Sequence, residues 1–337
     1  MKLLNVSGSP HVHSDESTKR IMWRVNLALV PSLIVAVAFF GLNALLISLI
    51  SVCSCVLFQW LIEKFIMKEP STVSDGSAVV TGLLLAFNVP ATREMIWLVI
   101  IAALVAIAIG KMSFGGLGKN PFNPALVGRV FMLISFPVQM TTWPKPGENL
   151  FSLVSVPTTD ATTGATPLGL IKEQMSQGRS LSDVMADPSL NLPSLGDIFL
   201  GHMGGSLGEV SAIAILIGAI YLLCRKIISW HIPVSFIGTA FVFSAILWLC
   251  DKTAFVDPVT TILTGGIMLG ACFMATDMVT SPMTKTGQLI FGCGCGLLTI
   301  IIRNWGNYPE GVSFAILLMN SVTPLLNRWC KPKRFAN

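Results

Sequence analysis

Charge is what this chain has least of. Only 12% of its 337 residues are Asp, Glu, Lys or Arg while 53% are hydrophobic, and a soluble globular domain carries about twice that charged share. A water-soluble single-core protein is thereby excluded, and a polytopic membrane protein is expected. Cysteine is missing from the polar loops. Of Cys53, Cys55, Cys224, Cys250, Cys272, Cys293, Cys295 and Cys330, seven fall within apolar runs, which excludes a disulfide framework. Cys53/Cys55 and Cys293/Cys295 stand two apart, a spacing that sends side chains about 200° apart around a helix, so neither pair can grip one metal or iron–sulfur cluster.

Histidine is thin as well. His11, His13, His202 and His231 are widely separated, with no HExxH and no nucleophile elbow, so hydrolytic or metal-dependent catalysis has no residues to rest on. Gly118-Lys119-Asn120 resembles the tail of a P-loop, but it lacks the Ser/Thr after the lysine and the earlier glycine, and no strand precedes it; this speaks against nucleotide hydrolysis. The net charge of +5 is scattered through short loops rather than gathered with aromatics on one face, so no nucleic-acid partner is expected.

What is abundant is apolar sequence. Runs long enough to cross a core of about 30 Å lie near Val25 to Phe40, Ala44 to Ile62, Met95 to Met112, Pro124 to Met140, Glu209 to Cys224, Ile232 to Cys250, Gly287 to Ile302 and Gly311 to Leu326. Two more, Ser77 to Phe87 and Val256 to Met274, are shorter or broken by Gly and Thr. The expected fold is therefore an all-α polytopic membrane protein of about ten transmembrane helices. Its first run follows polar residues, is long enough to span and precedes no small-residue cleavage site, so an anchor is expected rather than a signal peptide.

The division of the chain follows: a tail over 1–24, a five-helix half over 25–140, a polar loop over 141–208, a second five-helix half over 209–326 and a tail over 327–337. With the N-terminus in the cytoplasm, fifteen Lys and Arg fall on that side and six outside, so both termini are expected in the cytoplasm and the long loop outside. Five helices per half reverse the second half. Asp75-Gly76-Ser77-Ala78-Val79-Val80-Thr81-Gly82 opens the third run of one half and Asp257-Pro258-Val259-Thr260-Thr261-Ile262-Leu263-Thr264-Gly265 the third run of the other, offset by one residue. An inverted repeat with broken helices meeting near the midplane produces that likeness, and so does small-residue helix packing. Asp75 and Asp257, with Asp277, are candidates for an ion path or a second cofactor; helix N-caps at the membrane edge are the plainer reading.

The long loop holds the remaining candidate. In Asp160-Ala161-Thr162-Thr163-Gly164-Ala165-Thr166 the final hydroxyl follows two small residues, which suits covalent attachment, although composition alone describes an ordinary Ser/Thr-rich loop. Asp-x-x-(Ser/Thr)-Gly-Ala-Thr resembles the flavinylation motif of the RnfD/NqrB family. Ser9-Pro10-His11, Ser74-Asp75-Gly76, Gly118-Lys119-Asn120-Pro121-Phe122-Asn123-Pro124-Ala125 and Ala275-Thr276-Asp277 resemble further signatures of that family in the same order, covering nearly the whole chain. The short tail and the length resemble the RnfD branch.

That resemblance implies FMN joined to Thr166 by a phosphodiester, with Asp160, Thr163, Gly164 and Ala165 filling the motif. It implies a subunit of the ion-translocating Rnf complex, which couples electron transfer between ferredoxin and NAD to movement of Na⁺ or H⁺ across the bacterial inner membrane. The implied partners are the other Rnf subunits, including an external FMN-bearing one, and a flavin transferase for maturation. Related NqrB proteins also hold non-covalent riboflavin, and the residues here mark no pocket for it. The NADH and ferredoxin chemistry would lie on other subunits, in keeping with the lack of a Rossmann fingerprint and of ferredoxin cysteine spacing here. A secondary transporter or channel fits the repeat and the broken helices equally well, and a structural anchor is a third reading. Both leave the Thr-Gly-Ala-Thr loop unexplained.

Overall fold

The computed structural model describes residues 16–144, 166–187, 190, 193–201, 204–209, 211–306 and 310–331. Among them the regular secondary structure is helical. The first half comprises α1 (Thr18–Phe40), α2 (Leu42–Leu61) with a π-helical extension Ile62–Met67, α3 (Ser77–Phe87), α4 (Met95–Leu104) with its extension Val105–Ile109, α5 (Pro124–Ser135) and the single turn α6 (Pro137–Met140). Three short helices follow: α7 (Pro167–Ser176), α8 (Leu181–Ala186) and α9 (Leu195–Leu200). The second half comprises α10 (Ala212–Cys224), α11 (His231–Cys250), α12 (Pro258–Leu263), α13 (Ile267–Leu269) with a π-helical turn Gly270–Met274, α14 (Lys285–Trp305) and α15 (Val312–Trp329). Five stretches are long and apolar enough to span: Thr18–Phe40, Leu42–Met67, Met95–Phe114, His231–Cys250 and Lys285–Trp305. Ser77–Phe87, Pro124–Ser135 and Ala212–Cys224 are shorter apolar helices.

The boundaries have local causes. Helix α1 starts at Thr18 rather than Val25, because Ser17 accepts a hydrogen bond from the Arg20 N–H and caps a polar first turn. The run from Pro124 to Met140 is not one helix. It breaks at Phe136, before Pro137, as the residue preceding a proline disfavours helical geometry. Asn123 accepts from the Ala125 and Leu126 N–H groups and Pro124 takes the first position of α5, a strong start signal.

The same pairings recur in both halves. Helix α2 packs on α3 and α4, and α11 packs on α12 and α14; α5 lies against α4 as α15 lies against α14. The halves meet through α1 on α10 and α5 on α15. Without a hydrophobic drive between helices in lipid, close backbone approach does the holding. At Gly292 of α14 an added Cβ would collide with Ser235 Oγ of α11, and at Gly296 it would lie 2.6 Å from Phe236 O. At Gly218 of α10 it would collide with Ala28 O of α1. The two Asp-led segments enter their helices differently: Gly76, at φ +82°, sits between Asp75 and α3, whereas Asp257 itself caps α12.

Candidate functional site

Thr166 is the N-cap of α7. Its Oγ1 accepts from the Gly169 N–H at 3.1 Å, and Pro167 occupies the first helical position. The residue is only 7% exposed. Ile171 of α7 packs with Leu181 and Val184 of α8 and with Val256 ahead of α12, and the Leu181 N–H donates to Thr253 O at 3.1 Å, which fixes the short helices on one end of the second half. Burial lowers the Lys172 ammonium's affinity for its proton, and Lys172 Nζ donates to the Arg303 carbonyl at 3.1 Å and to the Gly306 carbonyl. The other motif residues Asp160, Thr163, Gly164 and Ala165 lie outside the described residues, as do Ser9, Pro10, His11 and His13.

Thr166 opens onto a narrow cleft whose walls include Gly204, Gly205, Glu209, Thr264, Gly265 and Glu310. The cleft is tight: a Cβ at Gly265 would lie 2.5 Å from Arg303 Nη2. Leu168 also borders a second cleft of about 970 Å³ lined by Ile171, Lys172, Ser244, Phe255, Arg303 and Asn304. Behind the first cleft sits a buried charge cluster. Arg129 of α5 donates through Nη1 to Asn88 Oδ1 at 2.5 Å and through Nη2 to Glu310, and its Nη2 lies 3.8 Å from Glu209 Oε1. Arg303 of α14 donates to the carbonyls of Thr261 at 2.6 Å and Thr264 at 3.1 Å. Those carbonyls border the break between α12 and α13, so the guanidinium satisfies backbone groups the interrupted helix leaves open.

A separate polar chain lies near the start of α3. Glu63 accepts from Gln59 Nε2 at 2.8 Å; Gln59 Oε1 accepts from Lys111 Nζ at 2.8 Å; Lys111 Nζ also donates to Ser77 Oγ at 2.6 Å, and Ser77 Oγ donates to Asp75 Oδ1 at 2.6 Å. Lys111 is 1% exposed, which a lone ammonium would not tolerate. Lys111 lines a cavity of about 730 Å³ together with Ser77, Asn120, Asn123, Phe273 and Asp277. Asp277 accepts from Thr280 Oγ1 at 3.2 Å, and burial pushes its carboxyl up from the ordinary range. Asp75 and Asp277 are thus brought to one neighbourhood. Asp257 is not part of it: its carboxylate accepts from the Val259 and Thr260 N–H groups at 3.1 and 3.0 Å as the cap of α12.

Sequence reasoning missed the cluster of Arg129, Glu209, Glu310 and Arg303. The available signal was Arg129 inside an apolar run, since a guanidinium there requires a carboxylate partner. The cysteines behave as their spacing requires. Cys55 and Cys295 are buried while Cys53 and Cys293 are exposed.

Residues 5–336 match the model of the NQR2, RnfD, RnfE family. A relative from Clostridium ljungdahlii, a subunit of a proton-translocating ferredoxin:NAD(+) oxidoreductase complex, is 43% identical over 337 residues, covering 99% of this chain and 96% of its own. One from Acetobacterium woodii, a subunit of a Na(+)-translocating ferredoxin:NAD(+) oxidoreductase complex, is 45% identical over 335 residues, with 99% and 95% covered. A third, from an ion-translocating oxidoreductase complex of Escherichia fergusonii, is 35% identical, with 99% of both chains covered.

Proposed function

The chain belongs to the NQR2, RnfD, RnfE family, and from that premise we propose that it is the membrane subunit of an Rnf complex that carries covalent FMN on Thr166. The complex is a redox-driven ion pump between ferredoxin and NAD, and this chain acts within it as part of a multisubunit translocase. The observation that carries the flavin reading is the placement of Thr166: a hydroxyl at the N-terminus of α7, at the edge of a cleft walled by Gly204, Gly205 and Gly265. A helix N-terminus favours the negative charge of a phosphodiester. When bound, the flavin supplies the electron transfer and the protein sets its surroundings.

The neighbouring cleft offers the ring an apolar floor from Leu168, Ile171 and Phe255, with Ser244 and Asn304 as polar partners. Because Thr166 is buried, a flavin transferase reaches its hydroxyl before α7 docks or when it swings away. The distribution of basic residues favours cytoplasmic termini and an external 141–208 loop, where an external FMN-bearing subunit would meet this flavin. The cavity beside Lys111, Asn120, Asn123 and Asp277 is the candidate for non-covalent riboflavin or for the ion path. Asp75 joins it through Ser77 and Lys111, whereas Asp257 would serve at the other broken helix.

The test is fluorescence of the denatured protein in a gel under ultraviolet light, wild type beside Thr166→Ala, after expression with a flavin transferase. A fluorescent wild-type band and a dark Thr166→Ala band are expected. A dark wild-type band, with the transferase active on a control, would turn the reading toward a secondary transporter, which the interrupted α12–α13 helix also fits.

A further inference from the structure

We propose that Glu209 and Glu310 form a proton-binding carboxyl pair on Arg129, and that the negative charge carried at Thr166 sets how tightly the proton is held. The second clause rests on the flavin reading of Thr166; the first does not. The geometry begins with unequal sharing. Arg129 commits Nη1 to Asn88 and Nη2 to Glu310, which leaves Glu209 at 3.8 Å, beyond hydrogen-bond length. Among the described residues neither oxygen of Glu209 has a partner within hydrogen-bond geometry, nor does Glu310 Oε1. The buried Ser206 hydroxyl stands close enough to act on the Glu209 carboxyl, though outside hydrogen-bond geometry.

Other charges facing the pair do not complete it. Arg303 spends both Nη groups on the carbonyls of Thr261 and Thr264, and Lys172 donates to the carbonyls of Arg303 and Gly306. Glu209 is 3% exposed, so water does not solvate it either. A buried carboxylate without hydrogen bonds is costly enough that taking up a proton relieves it. Once protonated it has an O–H to donate, and the Ser206 hydroxyl beside it can accept. Two carboxyls on one guanidinium then hold one proton between them, as like-charged neighbours cannot both ionise cheaply.

Both carboxyls line the same cleft as Thr166. A phosphodiester there places another negative charge in a small, poorly solvated space, and a like charge raises a carboxyl's proton affinity. The expected effect is about tenfold or more in that affinity, equivalent to about one pH unit.

The experiment is infrared difference spectroscopy of the full-length protein in detergent, titrating pH and following the carbonyl stretch of protonated carboxyls. Wild type made with a flavin transferase is compared with Thr166→Ala, and each with Glu209→Gln. A band present in both forms, lost in Glu209→Gln, and titrating about one unit higher in the flavin-bearing form is expected. Glu310→Gln frees Arg129 for Glu209 and should move the remaining band to lower pH. Elution of every variant as the wild-type species checks folding. No band assignable to Glu209 would overturn the proton-binding pair, and equal titration in flavin-bearing and flavin-free protein would overturn its coupling to Thr166. Gel fluorescence of the same samples reports the flavin separately: its absence from wild type would overturn the flavin reading and the coupling, and the Glu209 band would still decide the proton.

Discussion

Replacing Arg129 with Met should destabilise the protein by about 4–5 kcal/mol at neutral pH. The side chains of Arg129, Glu209 and Glu310 are 4%, 1% and 11% exposed, so no solvent compensates for losing the cation. Breaking a buried ion pair by removing one partner costs roughly 3–5 kcal/mol. Asn88 Oδ1 loses its donor as well, a further ~1–3 kcal/mol for an unsatisfied buried acceptor. Protonation limits the charge part of this: a carboxyl of ordinary pKa near 4.3 becomes neutral at pH 7 for about 3.7 kcal/mol, at ~1.36 kcal/mol per unit, which with the low end of the Asn88 cost gives a loss of about 4–5 kcal/mol. The folded variant therefore binds more protons than its unfolded chain, and stability rises as pH falls, by about 1.4 kcal/mol per unit for each carboxyl involved. Adding Glu310→Gln to Arg129→Met removes the stranded charge and should restore about half of the loss. Denaturant unfolding in detergent, followed by tryptophan fluorescence between pH 5 and pH 8, measures all of this. A loss below about 1 kcal/mol, or one indifferent to pH and to Glu310→Gln, would refute the reasoning from Arg129 as the shared cation.

Gly292→Leu should disrupt the α11–α14 contact, because even a Cβ collides with Ser235 Oγ and meets Ile232 O at 2.9 Å; overpacking costs about 1–3 kcal/mol, and thermal unfolding in detergent would show it. Asp257→Ala should cost about 1 kcal/mol as a lost N-cap while Asp257→Asn nearly preserves stability. If Asp257 also serves ion movement, Asp257→Asn together with Asp75→Asn will impair Na⁺ or H⁺ transport in vesicles of the whole complex at unchanged flavin content, and unchanged transport would remove that role. Lys111→Met should destabilise by about 2 kcal/mol or more, since it leaves Gln59 Oε1 and Ser77 Oγ without their donor; the same unfolding assay checks it.

The long helices were legible because lipid demands an unbroken apolar run, and α11 and α14 lie within a few residues of the runs that announced them. The short ones needed punctuation instead. Asp75-Gly76-Ser77 and Asp257-Pro258 mark the starts of α3 and α12, while Pro137 stands inside an apolar stretch that reads as one span, yet it ends α5. At the candidate site the motif singled out Thr166, which the structure places at the N-cap of α7. Glu209 and Glu310 were not, because their partner Arg129 stands 80 and 181 positions away in sequence and no local pattern encodes a contact at that range. Arg303 counted in the sequence only as one of the six basic residues on the external side; it is 7% exposed and its side chain holds the carbonyls at the break between α12 and α13. A long side chain near a helix end has enough reach to turn inward.

The most direct test of the central claim is mass analysis of the proteolytic peptide that contains Thr166, from protein expressed with a flavin transferase. The account predicts a peptide heavier by FMN less one water, fragmenting with the added mass on Thr166 and disappearing in Thr166→Ala. An unmodified Thr166 peptide at full stoichiometry, alongside a modified control substrate, would contradict it.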